Sequence, residues 1–119
     1  MFGGDGTILG AARLLCESEV PVIGVNVGKL GFLAEFSIEE LESQFERIIS
    51  DKSLIEKRMV LRCGLYRGGQ CISSGKAVND VVFSAGAPFN MIELQVEVDG
   101  QALVSCIGDG MILSTPTGS

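Results

Sequence analysis

Histidine and tryptophan are absent from the 119 residues, tyrosine occurs once, and nine Lys and Arg face fifteen Asp and Glu. Without histidine no Ser-His or Cys-His nucleophile can be assembled and the usual zinc spacings are out of reach. Acid–base work therefore falls to carboxylates, Lys, Tyr or Cys, and no side-chain metal site is predicted. A formal net charge of −6 excludes a general nucleic-acid surface, because binding a phosphate backbone needs a basic field. Long apolar runs are missing as well. No stretch approaches the roughly 20 residues that span a bilayer, and the N-terminus lacks the basic and apolar regions of a secretory signal. A soluble cytoplasmic protein with no membrane contact is expected. Cys16, Cys63, Cys71 and Cys106 form no C-x-x-C pair and are read as reduced, mostly buried thiols.

What is present supports a packed core: 46% of the residues are hydrophobic, in a chain long enough for one ordinary domain or two very small ones. Ile8, Leu9, Ala12, Leu15 and Cys16 recur at helical spacing and predict a helix from Thr7 to about Ser18. Val20 to Val27 is a nearly continuous apolar run, as in a strand buried on both faces of a parallel sheet. Ser37 and Glu40 make a capping box for a second helix ending near Ser50, with Ile38, Leu41, Phe45, Ile48 and Ile49 as its core stripe. After a polar bridge at Asp51 to Lys57 the period becomes alternating. The expected fold is thus an α/β part over residues 1–50 joined to an all-β part over 58–119. Within the latter, Ile92 to Val98, Asp99-Gly100 and Ala102 to Cys106 predict a hairpin with a type I′ turn. Weaker strands are Met59 to Tyr66 and Ala77 to Ser84, with a turn at Arg67 to Gln70.

Gly3-Gly4-Asp5-Gly6-Thr7 puts one carboxylate in a glycine turn where a helix begins. Glycines bring backbone close to a ligand and the first amides of a helix favour anions, so the turn reads as a phosphate site with an acid built in. An acid beside phosphates is repelled unless it holds a cation or accepts a proton from the attacking hydroxyl, which points to phosphoryl transfer. Rival readings fail on spacing. Gly4, Gly6 and Gly10 give G-x-G-x-x-x-G instead of the dinucleotide G-x-G-x-x-G, and no Lys-Ser/Thr pair follows to make a Walker loop. A loop that only turns the chain stays open.

Three further clusters carry chemistry. Asn79-Asp80 sets an amide and a carboxylate at a strand edge, suited to ribose hydroxyls but also to a strand-opening Asx turn. Gly108-Asp109-Gly110 is a second acid between glycines, equally a tight turn. Ser114 to Ser119 offers hydroxyls and amides for a phosphate or ribose, and is also ordinary in a loop. Lys29 and Arg13 are read as solvated surface charge before phosphate ligands.

In order along the chain, these motifs together with Ala11-Ala12-Arg13 and the segment Gly24 to Leu33 closely resemble the NAD kinase family. The resemblance implies an N-terminal Rossmann-like α/β part, an all-β part and a nucleotide cleft between them. It implies transfer of the γ-phosphoryl of ATP, or of polyphosphate in some relatives, to the 2′-hydroxyl of the adenosine ribose of NAD. Asp5 matches the proton acceptor and, with Gly6, lines the dinucleotide. Asn79, Asp80, Asn90, Asp109 and Thr117 match further dinucleotide contacts. Mg²⁺ would come with ATP, and homodimers or homotetramers are implied. Val27 stands where relatives commonly have Thr, and Ile107 where some carry Arg. A lipid or sugar-phosphate kinase on the same acid turn and an inactive nucleotide-binding remnant are the alternatives. Only Met1 and Phe2 precede the turn, and Thr115 to Ser119 should introduce another element, so a fragment of a longer protein is expected.

Overall fold

The computed structural model describes residues 1–18, 20–28, 31–88 and 90–119. Helix α1 spans Asp5–Leu15 behind an extended Gly4, two residues ahead of the expected start. Asp5 in its first turn complements the positive end of the helix, which makes it a better opening residue than Thr7. Ser18 N–H returns to Leu15 O at 2.8 Å, closing α1 earlier than the expected Ser18.

The apolar run before residue 28 forms no regular strand. Only Val25 is bridged, in parallel, to Phe2 on one side and to Phe36 on the other. Val25 N–H donates to Met1 O at 2.8 Å, Gly3 N–H to Val25 O at 2.9 Å and Asn26 N–H to Phe36 O at 2.8 Å. A strand needs neighbours, and here each neighbour is one or two residues long; Pro21 also has no N–H to give. Residues 1–2 therefore do lead into the acid turn as an extended, paired segment, with α1 as the crossover to Val25.

Helix α2, Ile38–Ser50, opens with the expected reciprocal capping box between Ser37 and Glu40. Its apolar stripe is present but bare: Leu41 and Ile48 are half-buried, whereas Ile38, Phe45 and Ile49 are exposed. A short 3-10 turn at Lys52–Leu54 follows, capped by Asp51.

The second half is antiparallel throughout. Strands β1 (Leu61–Arg67) and β2 (Gln70–Ala77) pair across a Gly68-Gly69 turn, and β3 (Asp80–Ser84) stands apart from β2. The single strand expected over Ala77 to Ser84 is split because the carbonyls of Val78 and Asn79 leave the ladder to meet Thr115. Strands β4 (Ile92–Val98) and β5 (Gln101–Gly108) form the expected hairpin. Asp99 at φ +52° and Gly100 at φ +77° are both left-handed, as a type I′ turn requires. Strand β6 (Gly110–Ser114) leaves β5 after one residue and pairs with β3, so the chain passes from one two-stranded sheet to another at Asp109.

Among the described residues the buried apolar side chains are Ile8, Val25, Ala34 and Val78, with Asn26 and Thr115 buried beside them. The accessible area is 9298 Å², against roughly 6,200 Å² for a compact chain of this mass. Faces that should be core, such as Val82, Phe83, Ile112 and Leu113 on the β3–β6 pair, are open. The cysteines follow suit: all four are free, Cys71 is exposed and the others are half-buried. The expected burial is not met: Cys63 lines an open hollow between α1 and the β1–β2 pair, with Gly10, Arg13 and Leu14 opposite, and Cys71 and Cys106 sit on hairpins whose Ile72, Val104 and Ile107 are exposed.

Candidate functional site

Asp5 is the first residue of α1, yet its carboxylate does not cap its own helix. It reaches across to a segment nearly thirty residues on. Oδ1 accepts the N–H of Leu33 at 3.0 Å and of Ala34 at 3.2 Å, and Oδ2 accepts that of Phe32 at 3.0 Å. The Leu33 amide lowers the carboxyl pKa below its usual value; partial burial opposes this, and the Ala34 and Phe32 amides add to the lowering. No Lys or Arg of the described residues forms an ion pair with Asp5. The close approach depends on Gly31, where a Cβ would lie 2.7 Å from Oδ2 and nearer still to Cγ and Oδ1. Gly6, one residue after Asp5, faces open space, so backbone there is accessible to a ligand.

A second cluster is built on Thr115, which is 1% exposed. Its hydroxyl donates to Val78 O at 2.5 Å and accepts the N–H groups of Thr117 at 3.2 Å and Gly118 at 3.3 Å. Thr115 N–H donates to Asn79 O at 2.7 Å. This clasp sets Gly118, the neighbour of Thr117, against the Asn79 backbone, where a Cβ on residue 118 would stand 2.5 Å from Asn79 O. Asp80 is exposed at the head of β3 opposite Ser114. The side-chain Oδ1 of Asn79 is buried with no hydrogen-bond partner among the described residues, which leaves an acceptor ready for a donor from a ligand.

Other expected residues are not drawn in. Asp109 is exposed, and its carbonyl accepts Ala85 N–H at 2.8 Å just beyond the far end of β3. Four strand steps separate that end from Asp80, about 13 Å, so one small group cannot touch both. Asn90 is exposed before β4 and makes no hydrogen bond to the others. Asp5 shares no hydrogen bond with Asn79, Asp80 or Thr117 among the described residues. The Arg13 guanidinium is engaged away from the acid turn: its Nε donates to Lys76 O at 3.0 Å. Glu17 meets Lys76 at 2.5 Å beside it. Lys29 lies outside the described residues. A hollow of about 560 Å³ runs between Glu56 to Met59 and Pro116-Thr117, the one candidate residue on its wall being Thr117. No group of metal-ligating side chains occurs among the described residues.

The sequence reading missed two positions, Gly31 and Thr115, although both lie inside motifs it singled out. Thr-Pro-Thr-Gly is a signature of a hydroxyl-capped turn and flags Thr115. Nothing local flags Gly31, whose contact is with a residue distant in sequence.

Known proteins resemble both halves. Residues 1–53 match the ATP-NAD kinase N-terminal domain, and residues 78–119 match the ATP-NAD kinase C-terminal domain. The chain is 46% identical over 119 residues to an NAD kinase of Nitratidesulfovibrio vulgaris (strain DP4), covering 100% of this chain and 40% of that protein. It is 47% identical over 119 residues to the NAD kinase of Colwellia psychrerythraea, covering 100% of this chain and 41% of that one. The chain thus spans about two-fifths of the length of the curated relatives it matches. Among solved structures, yeast NADH kinase complexed with NADH superimposes with a TM-score of 0.84 at 33% identity, covering 98% of this chain and 35% of that one.

Proposed function

Since the chain belongs to the NAD kinase family, we propose that it transfers the γ-phosphoryl group of ATP to the 2′-hydroxyl of the adenosine ribose of NAD, giving NADP. The two units of the site follow the division 1–50 and 58–119, and the nucleotide lies where they face each other.

Asp5 accepts the hydroxyl proton. The ribose oxygen attacks the γ-phosphorus, the new O–P bond forms, and the bond to the bridging oxygen breaks with its electrons leaving on ADP. The proton ends on the Asp5 carboxyl and passes to solvent. A carboxylate stabilised by amides is a weak base towards a free alcohol, so the proton moves late, once bonding to phosphorus has made the oxygen acidic. Gly6 lets the dinucleotide lie against the helix start, and the Asn79 amide with the Asp80 carboxylate takes the nucleoside hydroxyls. Thr117 closes that side; Asn90 and Asp109 are assigned to more distant parts of the dinucleotide or to a neighbouring subunit.

Mg²⁺ is part of the ATP substrate in this reading. It binds phosphates with only one or two carboxylates, so the ATP phosphates and water would supply most of its ligands. Assembly as a homodimer or homotetramer would cover the open faces of β3–β6 and β4–β5, and the reaction belongs to the cytoplasm.

The observation that carries the reading is the Asp5 carboxylate, kept charged by backbone and free of any cation of the described residues. The test is incubation with Mg²⁺-ATP and NAD, with parallel arms for NADH, polyphosphate, a diacylglycerol and a hexose phosphate. NADP is the expected product; none from NAD or NADH would end the reading, and a phosphorylated lipid or sugar would replace it.

A further inference from the structure

Asp5 is not an open acid. A carboxylate offers about four acceptor positions, two on each oxygen. The amides of Leu33 and Ala34 fill both positions on Oδ1, and that of Phe32 fills one on Oδ2. Among the described residues nothing fills the second position on Oδ2. The three donors are consecutive residues, so the carboxyl group is held as if by a single rigid clip.

That clip closes only because residue 31 has no side chain. A Cβ on Gly31 would stand 2.6 Å from Cγ, 2.7 Å from Oδ2 and closer still to Oδ1. Ordinary contact begins roughly 1 Å further out. It would press on the whole carboxyl group, whose oxygens are both pinned, and not on the loose end of a flexible chain. The carboxylate would have to leave its amides.

We propose that the segment Gly31–Ala34 aims Asp5, leaving the position on Oδ2 that no described residue fills as the place where the acceptor hydroxyl donates, and that Gly31 is the positioning residue of the transfer. This rests on the phosphoryl-transfer reading above. The hydroxyl then approaches from one direction, and its oxygen is presented to phosphorus with little freedom left to lose. Misplacing a reacting group by an ångström can lower a rate on the order of 10²-fold, which is the size of effect that Gly31 controls.

The experiment compares wild type, Gly31→Ala, Asp5→Ala and the double variant, with kcat, both KM values, thermal midpoint and ¹⁵N amide spectra. Gly31→Ala is expected to lower kcat on the order of 10²-fold with the KM for ATP within about two-fold, while the double variant is no slower than Asp5→Ala. Such non-additivity is what two residues acting through one carboxylate give. Wild-type kcat in Gly31→Ala, or an equal loss in both backgrounds, would overturn the proposal. The amide signals of Phe32, Leu33 and Ala34 should move in Asp5→Ala whether or not NADP is made. If they do not move the clip is wrong, whereas if they move and wild type makes no NADP only the functional reading fails.

Discussion

The hydroxyl of Thr115 donates across 2.5 Å to the carbonyl of Val78, 37 residues earlier, and both residues are buried. That bond ends β2 before Asn79 and fixes the turn that carries Thr117. Thr115→Val keeps the shape and removes the hydroxyl, leaving one carbonyl and two N–H groups without it. A loss of about 1–3 kcal/mol is expected, read by chemical denaturation. NAD affinity should fall in the same variant and return in Thr115→Ser, measured by titration.

Asp5→Asn should lower NADP formation by about 10²- to 10⁴-fold, the usual worth of a positioned proton acceptor. The same change turns an acceptor at Oδ2 or Oδ1 into an NH₂ group facing a backbone N–H. Faster hydrogen exchange at Phe32 to Ala34 is therefore expected beside the loss of turnover.

Stability should fall in acid. The carboxyl groups of Asp5 (Leu33 amide first), Glu17 (Lys76 ammonium) and Asp51 (Ser53 hydroxyl) are all held below their usual 3.8 or 4.5. Through that window the unfolded chain binds more protons than the folded one. Their contribution is whole above the unfolded values and is lost as pH falls through the lower folded values. Lys76 has the opposite sign: Glu17 raises it above 10.5, so its share is whole below that value and lost as pH rises through the folded one. Thermal midpoints should hold level between these limits, and Glu17→Gln should flatten both limbs.

Ser37→Ala removes the hydroxyl that accepts Glu40 N–H at 3.1 Å, one half of the capping box. A cost of about 0.5–2 kcal/mol is expected. Because α2 has no fully buried side chain among the described residues, little packing holds it otherwise, and circular dichroism should show part of the helix lost.

Chelation of divalent ions should abolish NADP formation and leave the thermal midpoint of the nucleotide-free protein unchanged. Mg²⁺ enters with ATP in the proposed reaction, so its removal acts on turnover. A midpoint that falls with EDTA would show a resident ion instead.

Local chemistry made much of this molecule legible in advance. Asp99-Gly100 declared its hairpin because few other dipeptides accept two left-handed residues, and Ser37 with Glu40 declared a helix start because the two groups satisfy each other within one turn. The acid turn at a helix N-terminus and its neighbours in order were enough to name a family. The sequence misjudged Val20 to Val27 and Ala77 to Ser84, where hydrophobic pattern says strand but pairing partners decide its length.

What the residues alone determined, then, is what arises within a few positions of the chain: turns, caps, helix periodicity and the chemistry available at each motif. Tertiary structure alone decided which groups those motifs meet. Three amides of residues 32–34 hold the Asp5 carboxylate in one orientation, and Thr115 joins Asn79 to Thr117. Both depend on contacts between residues 27 or more positions apart, and sequence periodicity carries no term for distances of that kind.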